Sequence, residues 1–304
     1  MAEAHACPVC AADSAQPVVQ ARGWQYRVCG RCPHWWLSAA PTDEELAAYY
    51  ESRYEYPAQW VERAVRRQYV PLVRRSGPPA PGVLIDHGCN RGELLAALQP
   101  YGWQAYGIEP TEPFATVARG RPGVALAATA AAAQQAGWPL ADLVTSFHTI
   151  EHVRDPLGEL RLLRRLMRPG ARLLLLTPNV QSLNARVFPQ EWEWTSPPVH
   201  LHLFSLTSLA LLLVRAGFRL RHCTTRRGNA KAFLFELLRS GVHHLAGTAR
   251  ATTDNPGLQL RATRLWYRAA DSILQIVSVP FWALAPFYGT LGLAPEIRAV
   301  AEAW

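Results

Sequence analysis

From Val83 onward the chain alternates short apolar runs with amphipathic stretches. Val83-Leu84-Ile85 is an apolar run closed by a glycine-bearing turn, and residues 92–98 read as the helix that follows. Ala105-Tyr106-Gly107-Ile108 repeats the strand pattern, with a helix near 112–119 behind it. Asp142-Leu143-Val144-Thr145 and Leu173-Leu174-Leu175-Leu176 lack the alternation of a half-exposed strand, so both predict strands buried on two faces. Between them, 157–167 is amphipathic and is stopped by Arg168-Pro169-Gly170. Residues 205–216 predict another helix, ended by Gly217, and 218–223 alternate like a strand. The alanine-rich stretch 127–136 reads as a plain connection between two sheet elements. Strands alternating with helices predict an α/β fold with a mainly parallel sheet covered on both faces.

Before Val83 the pattern is different. Residues 1–40 are rich in cysteine and tryptophan. Thr42 followed by Asp43, Glu44 and Glu45 marks a helix start, with Leu46, Tyr49 and Tyr50 as its apolar face. A second helix is expected over 58–75, and the proline- and glycine-rich run 76–82 reads as a linker. This divides the chain into a cysteine-rich module, 1–40, a helical linker region, 41–82, and a large α/β unit, 83–304, carrying an apolar segment, 229–295. Within that segment 272–295 bears no charge. Pro280, Pro286, Gly289 and Gly292 interrupt it, which favours a buried helical hairpin over a membrane-surface element, and the latter over a true span. Residues 296–303 alternate as an antiparallel last strand would.

Composition narrows the function classes. Hydrophobic residues make up 49% of 304, enough for a sizeable core. Net charge is +8, but Lys231 is the only lysine and the arginines are scattered. No run of five basic residues exists, which argues against a nucleic-acid partner. The N-terminus lacks a basic region followed by an apolar one, so a cytoplasmic location is expected.

Two features carry chemistry. Cys7-Pro8-Val9-Cys10 and Cys29-Gly30-Arg31-Cys32 form two C-x2-C pairs, each able to present two thiolates from one turn. Together Cys7, Cys10, Cys29 and Cys32 predict a four-coordinate, structural Zn2+ site rather than two disulfides. Trp24, Tyr26, Trp35 and Trp36 are expected to pack around it. The second feature is the turn Asp86-His87-Gly88-Cys89-Asn90-Arg91-Gly92 between a strand and a helix. Its small residues let a ligand approach the backbone. Glu109, at the end of the next strand, can accept both ribose hydroxyls of an adenosine cofactor.

This turn resembles the D-x-G-x-G-x-G motif of class I S-adenosylmethionine-dependent methyltransferases, with Asn90 where a glycine is usual. Asparagine tolerates positive φ, so the turn survives the exchange. The run 142–156, ending in Glu151-His152-Val153-Arg154-Asp155-Pro156, is similar to that family's fourth-strand motif. Leu166-Met167-Arg168-Pro169-Gly170, Thr177-Pro178-Asn179 and His200-Leu201-His202-Leu203-Phe204-Ser205 resemble later motifs, the last from a subgroup with an N-terminal zinc ribbon. The resemblance spans about 7–223. It implies a Rossmann-like, seven-stranded, mostly parallel sheet preceded by a zinc ribbon. It also implies S-adenosylmethionine held by Asp86, Gly88, Cys89, Asn90, Gly92, Glu109 and Phe147.

Methyl transfer to a hydroxyl or acidic carbon is helped by a general base, and histidine suits neutral pH. His148 follows the fourth strand and His200 lies in the connection that overhangs the acceptor pocket in the family; both are candidates. The ubiquinone O-methyltransferase-like group carries E-x-x-E-H here as a proposed metal site. His148, Glu151 and His152 stand at those positions, but the changed ligand set favours a structural role. Trp192 and Trp194 either wall the pocket or fill core. The expected function is O- or C-methylation of a small-molecule acceptor: a sugar, a secondary metabolite or a glycolipid precursor. Ribosomal RNA methylation and a non-catalytic cofactor-binding role are the alternatives, and 272–295 leaves room for contact with a membrane surface.

Overall fold

The computed structural model describes residues 6–13, 15–53, 58–226 and 292–304. The chain starts with three antiparallel strands, β1 (Ala15–Ala21), β2 (Trp24–Cys29) and β3 (Trp35–Leu37). Arg22 and Gly23 close the first hairpin, both at positive φ (49° and 83°), as a two-residue turn requires. Helix α1 (Asp43–Arg53) begins with the expected cap. The Glu45 amide donates to Thr42 Oγ1 at 3.2 Å, and the Thr42 amide donates to Glu45 Oε2 at 2.8 Å.

The second predicted helix is present but not regular. It runs as α2 (Ala58–Ala64), a π-helical turn over Val65–Tyr69, and α3 (Val70–Ser76). Pro71 has no N–H to return to the preceding turn, and the ladder widens just before it. The widened turn sets Tyr69 against Phe147, ring centroids 4.9 Å apart.

The large sheet is built from β4 (Val83–His87), β5 (Gln104–Ile108), β6 (Val124–Ala127), β7 (Ala141–Phe147), β8 (Met167–Pro178), β10 (Phe218–Arg226) and β11 (Glu296–Ala303). A two-residue strand, β9 (His202–Leu203), falls between β8 and β10 in the chain. Helices α4 (Glu93–Leu98), α5 (Glu112–Arg119), α6 (Ala130–Gln135), α7 (Pro156–Arg165), α8 (Leu183–Val187) and α9 (Leu206–Arg215) complete the described elements. Sheet order is β10-β11-β8-β7-β4-β5-β6. The five strands from β8 to β6 are parallel, and β11 runs antiparallel to both β8 and β10. The seven-stranded, mostly parallel sheet with helices is the fold expected.

The apolar run of β8 shows why its pattern is continuous. Leu173 and Leu175 pack into the core on one face, and Leu174 and Leu176 into that on the other. In β11 the alternation is real: Ile297, Ala299, Ala301 and Ala303 are buried, with intermediate residues between them.

Local expectations are refined at three points. Helix α7 stops at Arg165, not 167, because the Leu166 carbonyl and Met167 are drawn into pairing with Ala141 at the start of β7. The alanine-rich stretch connects two sheet elements as expected, and it does so as a helix: it ends the edge strand β6 and then forms α6 ahead of β7, with Thr129 Oγ1 accepting the Ala132 amide at 3.1 Å. The cysteine-rich module does not close on itself, since β3 pairs with β9 and the small sheet reads β1-β2-β3-β9. Residues 227–291, and with them most of the apolar segment, lie outside the described residues. No helix among the described residues is long and apolar enough to cross a membrane.

Candidate functional site

Strand order reverses between β4 and β7, so a crevice opens past the carboxyl ends of those two strands. The turn after β4 lines it. Gly88, Asn90 and Gly92 have φ of 74°, 53° and 73°, a left-handed rhythm that only glycine and asparagine adopt without strain. A side chain at Gly88 would also collide with Thr149, whose Oγ1 would lie 2.2 Å from the added Cβ. The Gly88 and Cys89 amides donate to the Ile108 carbonyl at 2.8 and 3.1 Å, tying the turn to the end of β5.

Glu109 sits at that end, 6% exposed. Its Oε2 accepts the Asn90 amide and its Oε1 the Thr111 amide, each at 2.9 Å. A carboxylate has about four acceptor positions, so two remain for hydroxyls of a ligand. Asp86 lies beneath, buried, with Thr145 Oγ1 donating to Oδ1 at 2.6 Å. Burial pushes its carboxyl up to about 7, against the pull of that hydrogen bond. Cys89 is likewise buried and its thiol is pushed up. Phe147 stands at the end of β7, beside this turn in strand order.

The other side is a histidine cluster. His148 has φ 53°, uncommon for a side chain of its size. Its Nε2 lies 3.1 Å from Glu296 Oε1 and its Nδ1 3.6 Å from Glu151 Oε1. Burial opposes a charge there, yet two facing carboxylates hold the imidazole well above its ordinary value. Glu151 is fully buried, and Thr177 Oγ1 donates to its Oε2 at 2.9 Å. Burial would raise Glu151, but the His148 side chain beside it brings the carboxyl down to about 2.

His152 and His200 are arranged differently. His152 Nδ1 donates to the Val199 carbonyl at 2.9 Å, and His200 Nδ1 to the Trp194 carbonyl at 2.6 Å. A carbonyl only accepts, so both Nδ1 atoms carry the proton and both Nε2 atoms keep a lone pair. The two rings stand 4.7 Å apart, edge to face. Burial, then the neighbouring His152, lowers His200 to about 3; burial also lowers His152. Glu151, His152 and His200 each offer a ligand atom within 4.8 Å of the others. His148 is outside this group. Residues 150–152 form a single 3-10 turn, and His148 precedes it with a left-handed backbone. Trp194 lies between His148 and His200, stacked on both at 5.1 and 5.8 Å. Trp192 is core, packed with Val19, Tyr26, Leu37, Leu201 and Leu203.

Sequence reasoning missed Glu296, whose one signal was its place at the start of an alternating run. Thr177 was noted only as part of a motif, and the π turn that delivers Tyr69 had only Pro71 to announce it.

In the cysteine quartet the Sγ atoms of Cys7 and Cys32 are 3.6 Å apart, and those of Cys10 and Cys29 are 3.5 Å apart. All four lie within 4.8 Å of one another. A tetrahedron with Zn–S of about 2.3 Å has edges of about 3.8 Å, so the thiols fit a four-coordinate ion. The Arg31 amide donates to Cys29 Sγ at 3.4 Å, a bond that steadies a thiolate.

Residues 59–223 match the family described as "Methyltransferase domain". No curated protein matches the chain in sequence. Among solved structures, similar folds include a complex of the Haloferax volcanii Trm112 methyltransferase activator with a candidate methyltransferase. It is 16% identical, covers 87% of this chain and 99% of that one, and has a TM-score of 0.50. An S-adenosylmethionine-dependent methyltransferase from Archaeoglobus fulgidus is 19% identical over 84% of this chain and 98% of that one, with a TM-score of 0.48. The [4+2]-cyclase SpnF is 18% identical over 80% and 82%, with a TM-score of 0.48.

Proposed function

The chain belongs to the methyltransferase-domain family, and from that premise we propose that it methylates a small-molecule acceptor, at oxygen or carbon, using S-adenosylmethionine. The observation that carries the reading is the pairing of two half-sites across one crevice. On one side Glu109 and the left-handed turn 88–92 offer acceptors and backbone; on the other stands the histidine cluster, near enough that the Glu109 charge bears on His152. S-adenosylmethionine supplies a methyl group on a cationic sulfur, already activated for displacement. What remains for the protein is to align acceptor and donor and to receive the acceptor's proton.

We assign the proton to His200 Nε2. Its Nδ1 is fixed on a backbone carbonyl and its Nε2 carries a lone pair. His148, the other candidate, is hydrogen-bonded through Nε2 to Glu296 at 3.1 Å, and Glu151 lies 3.6 Å from its Nδ1; the two carboxylates favour the charged imidazole, which carries a proton on each nitrogen and cannot accept one. Its role is to order Glu151, Glu296 and the Trp194 ring. The cysteine quartet takes a structural zinc, with no open position for chemistry.

A second reading rests on one observation. Glu151 Oε1 is buried without a hydrogen-bond partner, and Glu151, His152 and His200 each offer one ligand atom within 4.8 Å of the others. Two imidazoles and a carboxylate suit a divalent ion that would bind the acceptor's oxygens. Chelator-treated protein should then take up one Mn2+ beyond the ribbon metal, and Glu151→Gln should lose it. No uptake leaves the base reading alone.

The test of the function is transfer of labelled methyl from S-adenosylmethionine to a panel of sugars, phenolic metabolites, glycolipid precursors and ribosomal RNA. Labelled small molecules support the reading. Labelled RNA, or tight S-adenosylhomocysteine binding without any transfer, overturns it.

A further inference from the structure

The segment carrying Trp194 and His200 is held from behind by the cysteine-rich module. Tyr26, fully buried on β2, donates its Oη hydrogen to the His200 carbonyl at 2.8 Å. The Leu37 amide donates to the Leu201 carbonyl at 3.0 Å, and β3 pairs with β9 through Trp35–Leu203 and Trp36–His202. Arg22 Nη1 donates to Ser196 Oγ at 3.4 Å, and Tyr49 Oη shares that hydroxyl at 3.1 Å. His34 and His202 are joined ring to ring at 3.1 Å, and Ser205 Oγ donates to the Cys32 carbonyl at 2.8 Å. His202 Nε2 donates to the Arg154 carbonyl, which sets the direction of the His34 bond. The opposite side of the same segment carries His200 and Trp194, whose rings lie against His152 and His148. There the Leu201 amide donates to the Glu151 carbonyl and His152 Nδ1 to the Val199 carbonyl, each at 2.9 Å.

We infer that the cysteine-rich module is the rear wall of the acceptor half-site, and that Tyr26 is a positioning residue for His200. The phenol takes the one backbone carbonyl whose own side chain is the proposed base. A buried carbonyl left without that donor must turn to find another, and the imidazole turns with it. The segment thus depends on a sheet whose other end is stapled by four thiols. The zinc-binding turns thereby act on acceptor chemistry without touching the donor turn. This inference rests on the reading of His200 as part of the acceptor site.

The experiment uses the full chain with its ribbon metal and compares wild type with Tyr26→Phe, which keeps the ring and removes only the hydroxyl. Hydrogen exchange should quicken about tenfold at amides 199–203, the factor one buried hydrogen bond is worth. Amides 88–92 should not change, and S-adenosylhomocysteine affinity should stay within twofold. With a responsive acceptor in hand, kcat should fall about tenfold while KM for S-adenosylmethionine holds. Ser196→Ala, which frees the second tether, should quicken exchange at 195–200 in the same local way, and it serves where Tyr26→Phe does not fold. Unchanged exchange in 195–203, or quickening spread evenly into 88–92, overturns the inference. Local quickening in a protein whose wild type transfers no methyl to any acceptor supports the tether and overturns the assignment of His200 instead.

Discussion

Replacing Glu109 by glutamine changes one oxygen to an amide nitrogen and leaves the shape intact. The carboxylate accepts the Asn90 and Thr111 amides, one on each oxygen, both at 2.9 Å. A glutamine has one oxygen, so one of these N–H groups must face an NH2 donor. Each hydrogen bond to a charged group contributes about 1.5–3 kcal/mol. Loss of one, whether to the turn or to a ribose hydroxyl, predicts S-adenosylhomocysteine binding weaker by about 10- to 150-fold. Titration calorimetry measures it. Turn damage and lost ribose contact are separated by a cycle with 2′-deoxy-S-adenosylhomocysteine. If Glu109 accepts the ribose hydroxyl, wild type should discriminate against the deoxy compound and Glu109→Gln should not. Equal discrimination by both proteins, or wild-type affinity in the variant, refutes the placement of the ribose at Glu109. The unliganded variant should also unfold at lower temperature, because both amide contacts exist without ligand.

Metal analysis should find one zinc bound by the cysteine quartet, abolished by Cys29→Ser with Cys32→Ser; a metal-free, well-folded wild type would defeat that claim. His200→Ala should lower turnover by about 10²–10⁴-fold with S-adenosylhomocysteine affinity nearly intact. Because burial holds His200 at about 3, its titration should leave no limb in the wild-type pH–rate profile between pH 5 and 8. A limb in that range that disappears in His200→Ala would contradict the burial argument. Asp86, at about 7 in the fold, is raised above its unfolded value, so its contribution to stability is complete below about 4 and is lost as pH rises through 7. Asp86→Asn keeps an acceptor for Thr145 and should therefore gain stability relative to wild type as pH rises from 4 to 7, by up to about 1.4 kcal/mol per pH unit. Parallel melting curves for the two proteins across that range would sink the idea.

Much of this was legible in the chain itself. The apolar runs of β4, β7 and β8 announced buried strands because both faces of a parallel sheet are covered, which leaves no polar side to break the run. The thiol quartet was legible because its cysteines come in pairs with two residues between them, a spacing one turn can satisfy. The turn 86–92 was legible because left-handed backbone needs glycine or asparagine at fixed intervals. These are local constraints, written in neighbouring residues. The acceptor side is not local. Glu296 reaches His148 across 148 positions because β11 inserts between β8 and β10 in a register that sets Glu296 opposite Pro178. No property of either residue encodes that register; it is fixed by which alternate side chains of β11 bury. His200 joins Glu151 and His152 only because the chain returns over the sheet edge and pairs with β3. The alanine-rich stretch does connect two sheet elements, β6 and β7, and it does so through helix α6, for which alanine is well suited. Sequence determined the elements and the local groupings, the two thiol pairs and the turn 86–92. Tertiary packing decided how each ring is partnered: Glu296 reaches His148 and Val199 reaches His152 from distant positions, and even the Trp194 carbonyl, six residues from His200, meets its Nδ1 only through the fold of that segment.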